Sequence, residues 1–294
     1  MDDPAMPDFD AWWDYDDPAA TERRFRELLP RAEQQGSADY LAQLLTQIAR
    51  AQGLQREFAA AHATLDRADA LAAPELVVAC VRSLLERGRA LNSAGEPERA
   101  APLFQAALEL SQAHAADGYA VDAAHMLAIV APAEQQLAAN LRALALAEQS
   151  RQPAGRRWRA SLLNNLGWSY HALGQHERAL EHFERALAAR EEVGAVGPIR
   201  VARWCVGRGL RALGRHAEAL ALQRALLAEH EQAGSADGYV HEELAENLLA
   251  LGQTDAAREQ FAAAYAQLVG DSWLAEREPE RLARLRALAG IDRA

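Results

Sequence analysis

Residues 162–194 read LLNNLGWSYHALGQHERALEHFERALAAREEVG, and their spacing decides the fold. Gly174 stands between two segments of helical periodicity. A glycine there ends one helix in a left-handed cap, and the next helix starts almost at once. Beyond the turn, Ala179, Phe183 and Ala186 recur at i, i+4 and i+7, which places small, large and small side chains on one helical stripe. Such a stripe lets the ring fill the groove of a neighbouring helix. The stretch predicts a helical hairpin.

The same hairpin recurs along the chain. ALNSAGEPERAAPLFQAAL (90–108), RALGRHAEALALQRALL (211–227) and LALGQTDAAREQFAAAY (249–265) match HALGQHERALEHFERAL (171–187). GSADY (36–40) returns as AADGY (115–119) and GSADGY (234–239). Taking Gly53, Gly95, Pro132, Gly174, Gly214 and Gly252 as turn landmarks, the steps are 42, 37, 42, 40 and 38 residues. A period of that length means stacked units, because one hairpin cannot bury its apolar face until a neighbour covers it. The trio recurs as Ala100, Phe104, Ala107 and as Ala257, Phe261, Ala264. In the third unit the reading assigns it to Leu137, Leu141 and Leu144. In the first it leaves two registers open, Phe58, His62, Leu65 or Ala61, Leu65, Ala68.

Composition agrees with an all-helical chain. Among 294 residues there are 68 Ala and 41 Leu but only 11 Val, 4 Ile and 4 Thr, a balance that favours helix over sheet. All 31 basic residues are Arg, which reads as coding bias. A net charge of -11 argues against a nucleic-acid binder, which needs a basic face to displace counterions. Two cysteines, Cys80 and Cys205, are too few for a disulfide framework and suit a reducing compartment. The acidic N-terminus does not read as a signal peptide, and no apolar run approaches the ~20 residues of a membrane span. The expected location is the cytoplasm.

Leu166-Gly167, Tyr170, Gly174, Ala179, Phe183 and Ala186 together resemble a tetratricopeptide repeat. Residues 162–194 are similar to the longer repeats of kinesin light chains and related bacterial regulators. The resemblance covers residues 38–270. It implies an all-α, right-handed superhelical solenoid of about six hairpins. Residues 1–17 are then expected to be a flexible acidic tail, 18–37 an N-terminal capping helix, and 271–294 a C-terminal capping helix.

The resemblance also implies that the first helix of each hairpin lines a concave groove. By alignment the groove residues are Arg82, Leu85, Arg89 and Asn92; Ser161, Asn164, Trp168 and His171; Val201, Trp204, Arg208 and Arg211; and Tyr239, Glu242, Glu246 and Leu249. Trp, Tyr and Arg dominate binding hot spots, although any one of them could equally pack on a neighbour or face solvent. Asn164 offers donor and acceptor together, suited to an extended peptide backbone. The resemblance places a peptide-holding Asn there. Arg208 and Arg211 favour an acidic or carboxylate-bearing partner through charge-assisted bonds.

Enzyme chemistry finds no support. The nine histidines form no HExxH pair, and His176 and His182, six apart, lie on different helical faces. No phosphate-binding loop, nucleophile elbow or dinucleotide fingerprint occurs, and no metal or cofactor is expected. The function expected is a non-catalytic scaffold that binds a protein or peptide segment. The alternatives are a peptide- or ligand-sensing regulator and an accessory subunit of a larger enzyme complex. Partners exclude nucleic acid and membrane and leave room for a homo-oligomer.

The tail is unusual. FDAWWDYDD (9–17) sets Trp12, Trp13 and Tyr15 among aspartates, whereas disordered tails are normally poor in aromatics. It resembles the tryptophan-acidic peptides that kinesin light chains bind. Two expectations follow: the tail docks on the groove of its own or a second chain, or Trp12 and Trp13 pack on the first capping helix.

Overall fold

The computed structural model describes residues 6–34 and 37–291. Every regular element among the described residues is helical, and the chain divides into two compact units, residues 1–159 and 160–294.

In the first unit α1 (Pro18–Gln34) is followed by three hairpins: α2 (Ala38–Leu54) with α3 (Phe58–Leu71), α4 (Val77–Ser93) with α5 (Pro97–Ala113), and α6 (Asp117–Val130) with α7 (Ala133–Gln149). A one-turn helix, α8 (Pro153–Arg156), ends the unit. The second unit repeats the plan in α9 (Arg159–Ala172) with α10 (His176–Val193), α11 (Val196–Ala212) with α12 (His216–Gln232), and α13 (Gly238–Ala250) with α14 (Thr254–Leu268). It closes with α15 (Ser272–Arg277) and α16 (Pro279–Leu288). None of the helices is long and apolar enough to cross a membrane, among the described residues.

The turns behave as their residues dictate. Gly174 adopts φ +70, and the next amide, Gln175 N–H, donates back to Tyr170 O at 2.9 Å, satisfying a carbonyl at the helix end. The first hairpin differs from the landmark reading. Gly53 lies inside α2, and Arg56 takes the left-handed conformation instead, at φ 64. The recurring GSADY element contains a helix start: Ser37 Oγ accepts from Tyr40 N–H, and Asp237 Oδ1 accepts from Tyr239 N–H at 2.9 Å. Gly36 and the end of the expected capping helix at Gln35 lie outside the described residues.

The small–large–small stripes form the core. Ala100, Phe104 and Ala107 are fully buried, as are Phe183 and Phe261 with their alanines. Phe183 sits so close to α9 that a Cβ on Gly167 would fall 2.4 Å from its ring. In the first hairpin Ala61, Leu65 and Ala68 are the buried trio. In the third the stripe is Asn140, Leu144 and Ala147, and Leu141 is exposed. The assignment to Leu137, Leu141 and Leu144 therefore fails at Leu141, and of the three only Leu144 is buried. The turn there is extended at Pro132 rather than a left-handed glycine, so α7 enters with a different phase.

The N-terminal segment also differs from the expected flexible tail. Residues 1–5, which include Asp2 and Asp3, lie outside the described residues. From Met6 on the chain is packed. Phe9, in a short 3-10 turn (Phe9–Trp12), is buried edge-on against Phe25 and Tyr40, with ring centroids 6.2 and 5.0 Å away. Pro7 O accepts from Tyr40 Oη–H at 2.9 Å. The reason is apolar area: Phe9, Trp12 and Trp13 pack against the apolar side of α1 and α2.

Candidate functional site

The candidate binding residues sit on first helices, and each unit presents its own set. In the second unit α9, α11 and α13 carry an aromatic series. Trp168 lies 6.0 Å from Trp204, and Trp204 lies 6.3 Å from Tyr239, centroid to centroid. The rings are only half-buried. Trp168 rests edge-on against Phe183 at 5.1 Å, so the core stripe props it from behind. Trp204 Nε1–H donates to Tyr239 O at 3.1 Å, which fixes its orientation. His171 lies beside Trp168 and 5.1 Å from His176; burial, then His176 and Arg211, lower its pKa, which favours the neutral ring.

Asn164, one helical turn before Trp168, is half-buried, and its amide makes no hydrogen bond among the described residues. Ser161 differs: its Oγ accepts from Arg190 at 2.8 Å. Val201 is exposed and Leu249 half-buried.

The charged residues are more committed than expected. Arg211 Nε and Nη2 donate to the two oxygens of Glu243 at 2.7 and 3.0 Å, and Arg208 Nη1 donates to Glu243 Oε1 at 3.3 Å. Burial pushes the Glu243 carboxyl up to about 7, against the pull of Arg211. Glu242 takes a two-point contact from Arg281, at 2.8 and 2.6 Å, and Glu246 pairs with Arg284. Tyr239 Oη–H donates to Asp271 at 3.3 Å. Arg208 and Arg211 are thus already engaged by an internal carboxylate.

In the first unit Arg82 is buried. Its Nε donates to Tyr119 Oη at 2.7 Å and its Nη1 to Asp10 Oδ1 at 2.9 Å. Burial opposes the Arg82 charge, but the interactions with Asp10 and Tyr119 together outweigh it and raise the pKa. Arg89 lies between Glu86 and Asp122, and Glu86 also takes Arg50 at 3.0 Å. Leu85 belongs to the core rather than to any groove, and Asn92 is half-buried.

The N-terminal segment lies on this same face. Trp13 Nε1–H donates to Gln47 Oε1 of α2 at 3.0 Å. The Trp13 ring stacks on Tyr15 at 4.8 Å and meets Phe25 of α1 edge-on at 5.3 Å. Arg50 lies over both the Trp13 and the Tyr15 ring. Trp12 packs against the α1–α2 cluster. The segment therefore packs on the first helix and also reaches Arg82, one of the aligned groove residues. A cavity of about 250 Å³ remains between it and Arg50, Arg89 and Asp122.

Sequence reasoning missed Glu86 and Glu243, yet the repeat carries a signal for them. Each stands two residues before the small residue that faces the stripe aromatic, Gly88 in one case and Ala245 in the other. Each pairs with an Arg three residues before the turn landmark of the preceding hairpin, Arg50 before Gly53 and Arg211 before Gly214.

Residues 136–192 match the family described as tetratricopeptide repeat. Among solved structures, the apo form of RapI superposes with a TM-score of 0.69 at 13% identity, covering 94% of this chain and 77% of that one. BtubC from P. vanneervenii gives 0.58 at 16% identity, covering 79% and 94%. TPR-like repeats of a kinesin light chain from Podosopora anserina give 0.53 at 19% identity, covering 65% and 97%. None of the curated proteins matches this sequence. The fold is that of a tetratricopeptide repeat protein.

Proposed function

We propose, for a chain that folds as tetratricopeptide-type hairpins, that it is a non-catalytic scaffold binding a protein or peptide segment along its first-helix faces. The reading rests on the second unit, where the Trp168–Trp204–Tyr239 series runs beside the unengaged Asn164 amide. Aromatic faces give contact area at small entropic cost, and a free amide can read both polar groups of an extended backbone. Arg208 and Arg211 act through Glu243: an acidic ligand group gains from their charge while the internal carboxylate keeps them in place.

A second reading, the regulator, is favoured by the Phe9–Tyr15 segment. An acidic, aromatic stretch of the chain itself occupies the first-unit face at Arg82, where a partner of the same chemistry would compete with it. Tethering would hold that segment at millimolar effective concentration.

Capture from native lysate tests the main reading, with wild type and Asn164→Ala, Trp204→Ala run side by side. Specific partners retained by wild type and lost by the double variant, with helicity unchanged, support it. Equal retention by both refutes the assignment of the face.

A further inference from the structure

One cavity has no part in the proposed binding face. It measures about 530 Å³ and lies in the first unit between the second helices α5 and α7, with α6 as its floor. It opens where the third hairpin departs from the repeat, at the extended Pro132 turn and the shifted α7 stripe. That size falls in the range of small-molecule sites, which are mainly apolar with a few placed polar groups.

The chemistry of the walls is one-sided. Leu127, Val130 and Pro132 line the end near the turn, and the polar wall residues are neutral glutamines except for one, Arg142. Arg142 makes no ion pair or hydrogen bond among the described residues. It is thus a guanidinium at the edge of an apolar trough with no internal anion. Seven residues separate it from Gln135 at the turn end, roughly 10 Å along α7. We infer that this trough binds a medium-chain aliphatic carboxylate, its head on Arg142 and its tail directed toward Pro132. The match is one of charge and length: a single anion for the single unpaired cation, and a chain without polar atoms for walls that offer few partners. Arg is suited to the head because its planar fork meets both carboxylate oxygens.

Decanoate and decan-1-ol, titrated calorimetrically into the full chain below the concentration at which either self-associates, test the inference. One decanoate per chain should bind. Arg142→Gln, at an exposed and unpaired position, should weaken decanoate about tenfold, the effect of losing a charged hydrogen bond, and leave decanol unchanged. Ala101→Trp, which fills the apolar end, should abolish binding of both while melting stays near wild type. Absence of saturable decanoate binding would overturn the inference, as would an Arg142→Gln variant that binds decanoate like wild type. Tighter binding of an amphipathic peptide amide than of decanoate would also overturn it, and would make the trough a protein-docking surface. None of these outcomes depends on the first-helix face.

Discussion

Replacing Gln223 by Met should stabilise the second unit. In hairpins two and four the stripe carries Phe104 and Phe183, and each ring lies over a glycine, with Cβ-to-ring distances of 2.5 Å at Gly88 and 2.4 Å at Gly167. Hairpin five has the same geometry with Gln223 over Gly207, at 2.3 Å. Gln223 is fully buried between Ala219 and Leu226, yet it is polar. Its Nε2 reaches Trp204 O only at 3.4 Å, and its Oε1 is buried without a hydrogen bond. An unsatisfied buried acceptor costs about 1–3 kcal/mol, and the long amide contact returns a fraction of a normal hydrogen bond. Met keeps the unbranched length and replaces the amide with a polarisable apolar group. The expected gain is about 1–2 kcal/mol, once a small repacking loss is allowed. Urea titration followed by tryptophan fluorescence and far-UV circular dichroism would read it, since Trp204 is adjacent. The midpoint should rise with the slope unchanged. A midpoint equal to or below wild type would show that the Gln223 amide is satisfied, for instance by buried water, and the argument would fail.

Phe183→Ala should cost about 3–5 kcal/mol, because its stripe partners are alanines too small to refill the space; a loss under about 1 kcal/mol in the same titration would contradict its burial. Glu243 has a folded-state pKa of about 7 against an ordinary 4.5, so the folded state holds the extra proton between those values. Stability should accordingly fall as pH rises from about 4.5 to 7, and Glu243→Gln should flatten that slope in melting curves taken across the window. Deleting residues 1–16 should lower the melting temperature of the first unit, because it removes the buried Phe9 and the Trp13–Gln47 hydrogen bond. An unchanged melting curve would mean that the segment contributes no net stability. Gly167→Ala should destabilise by about 1–3 kcal/mol, since the new methyl collides with the Phe183 ring; a neutral melting curve would mean the helices can separate at no cost.

Local order was legible because it is written at short range and repeated. The turn glycine Gly174 and the i, i+4, i+7 trio around Phe183 each involve residues within one hairpin, and six copies allow alignment to correct any single copy. Where a copy departs, the reading slips: the Pro132 turn lacks a left-handed residue, and only packing against α6 reveals that α7 turns Asn140, Leu144 and Ala147 inward. The first hairpin shows the same limit, since composition permits two registers and burial selects Ala61, Leu65 and Ala68.

Side-chain partnership is the part that the linear chain does not state. Alignment could place Arg208 and Arg211 on the first-helix face, because helical period decides direction. It could not say that Glu243, 32 residues beyond Arg211, hydrogen-bonds both, because that pairing depends on the offset between neighbouring first helices. The Phe9–Tyr15 segment was readable as aromatic and acidic, but its place depended on an apolar side of α1 and α2 that exists only once the hairpins have stacked. Periodicity within each helix thus determined the fold class and the face each residue takes. Tertiary packing decided which charges meet and that the Asn164 amide stays unengaged among the described residues, because both depend on distances between residues that sequence spacing alone leaves open.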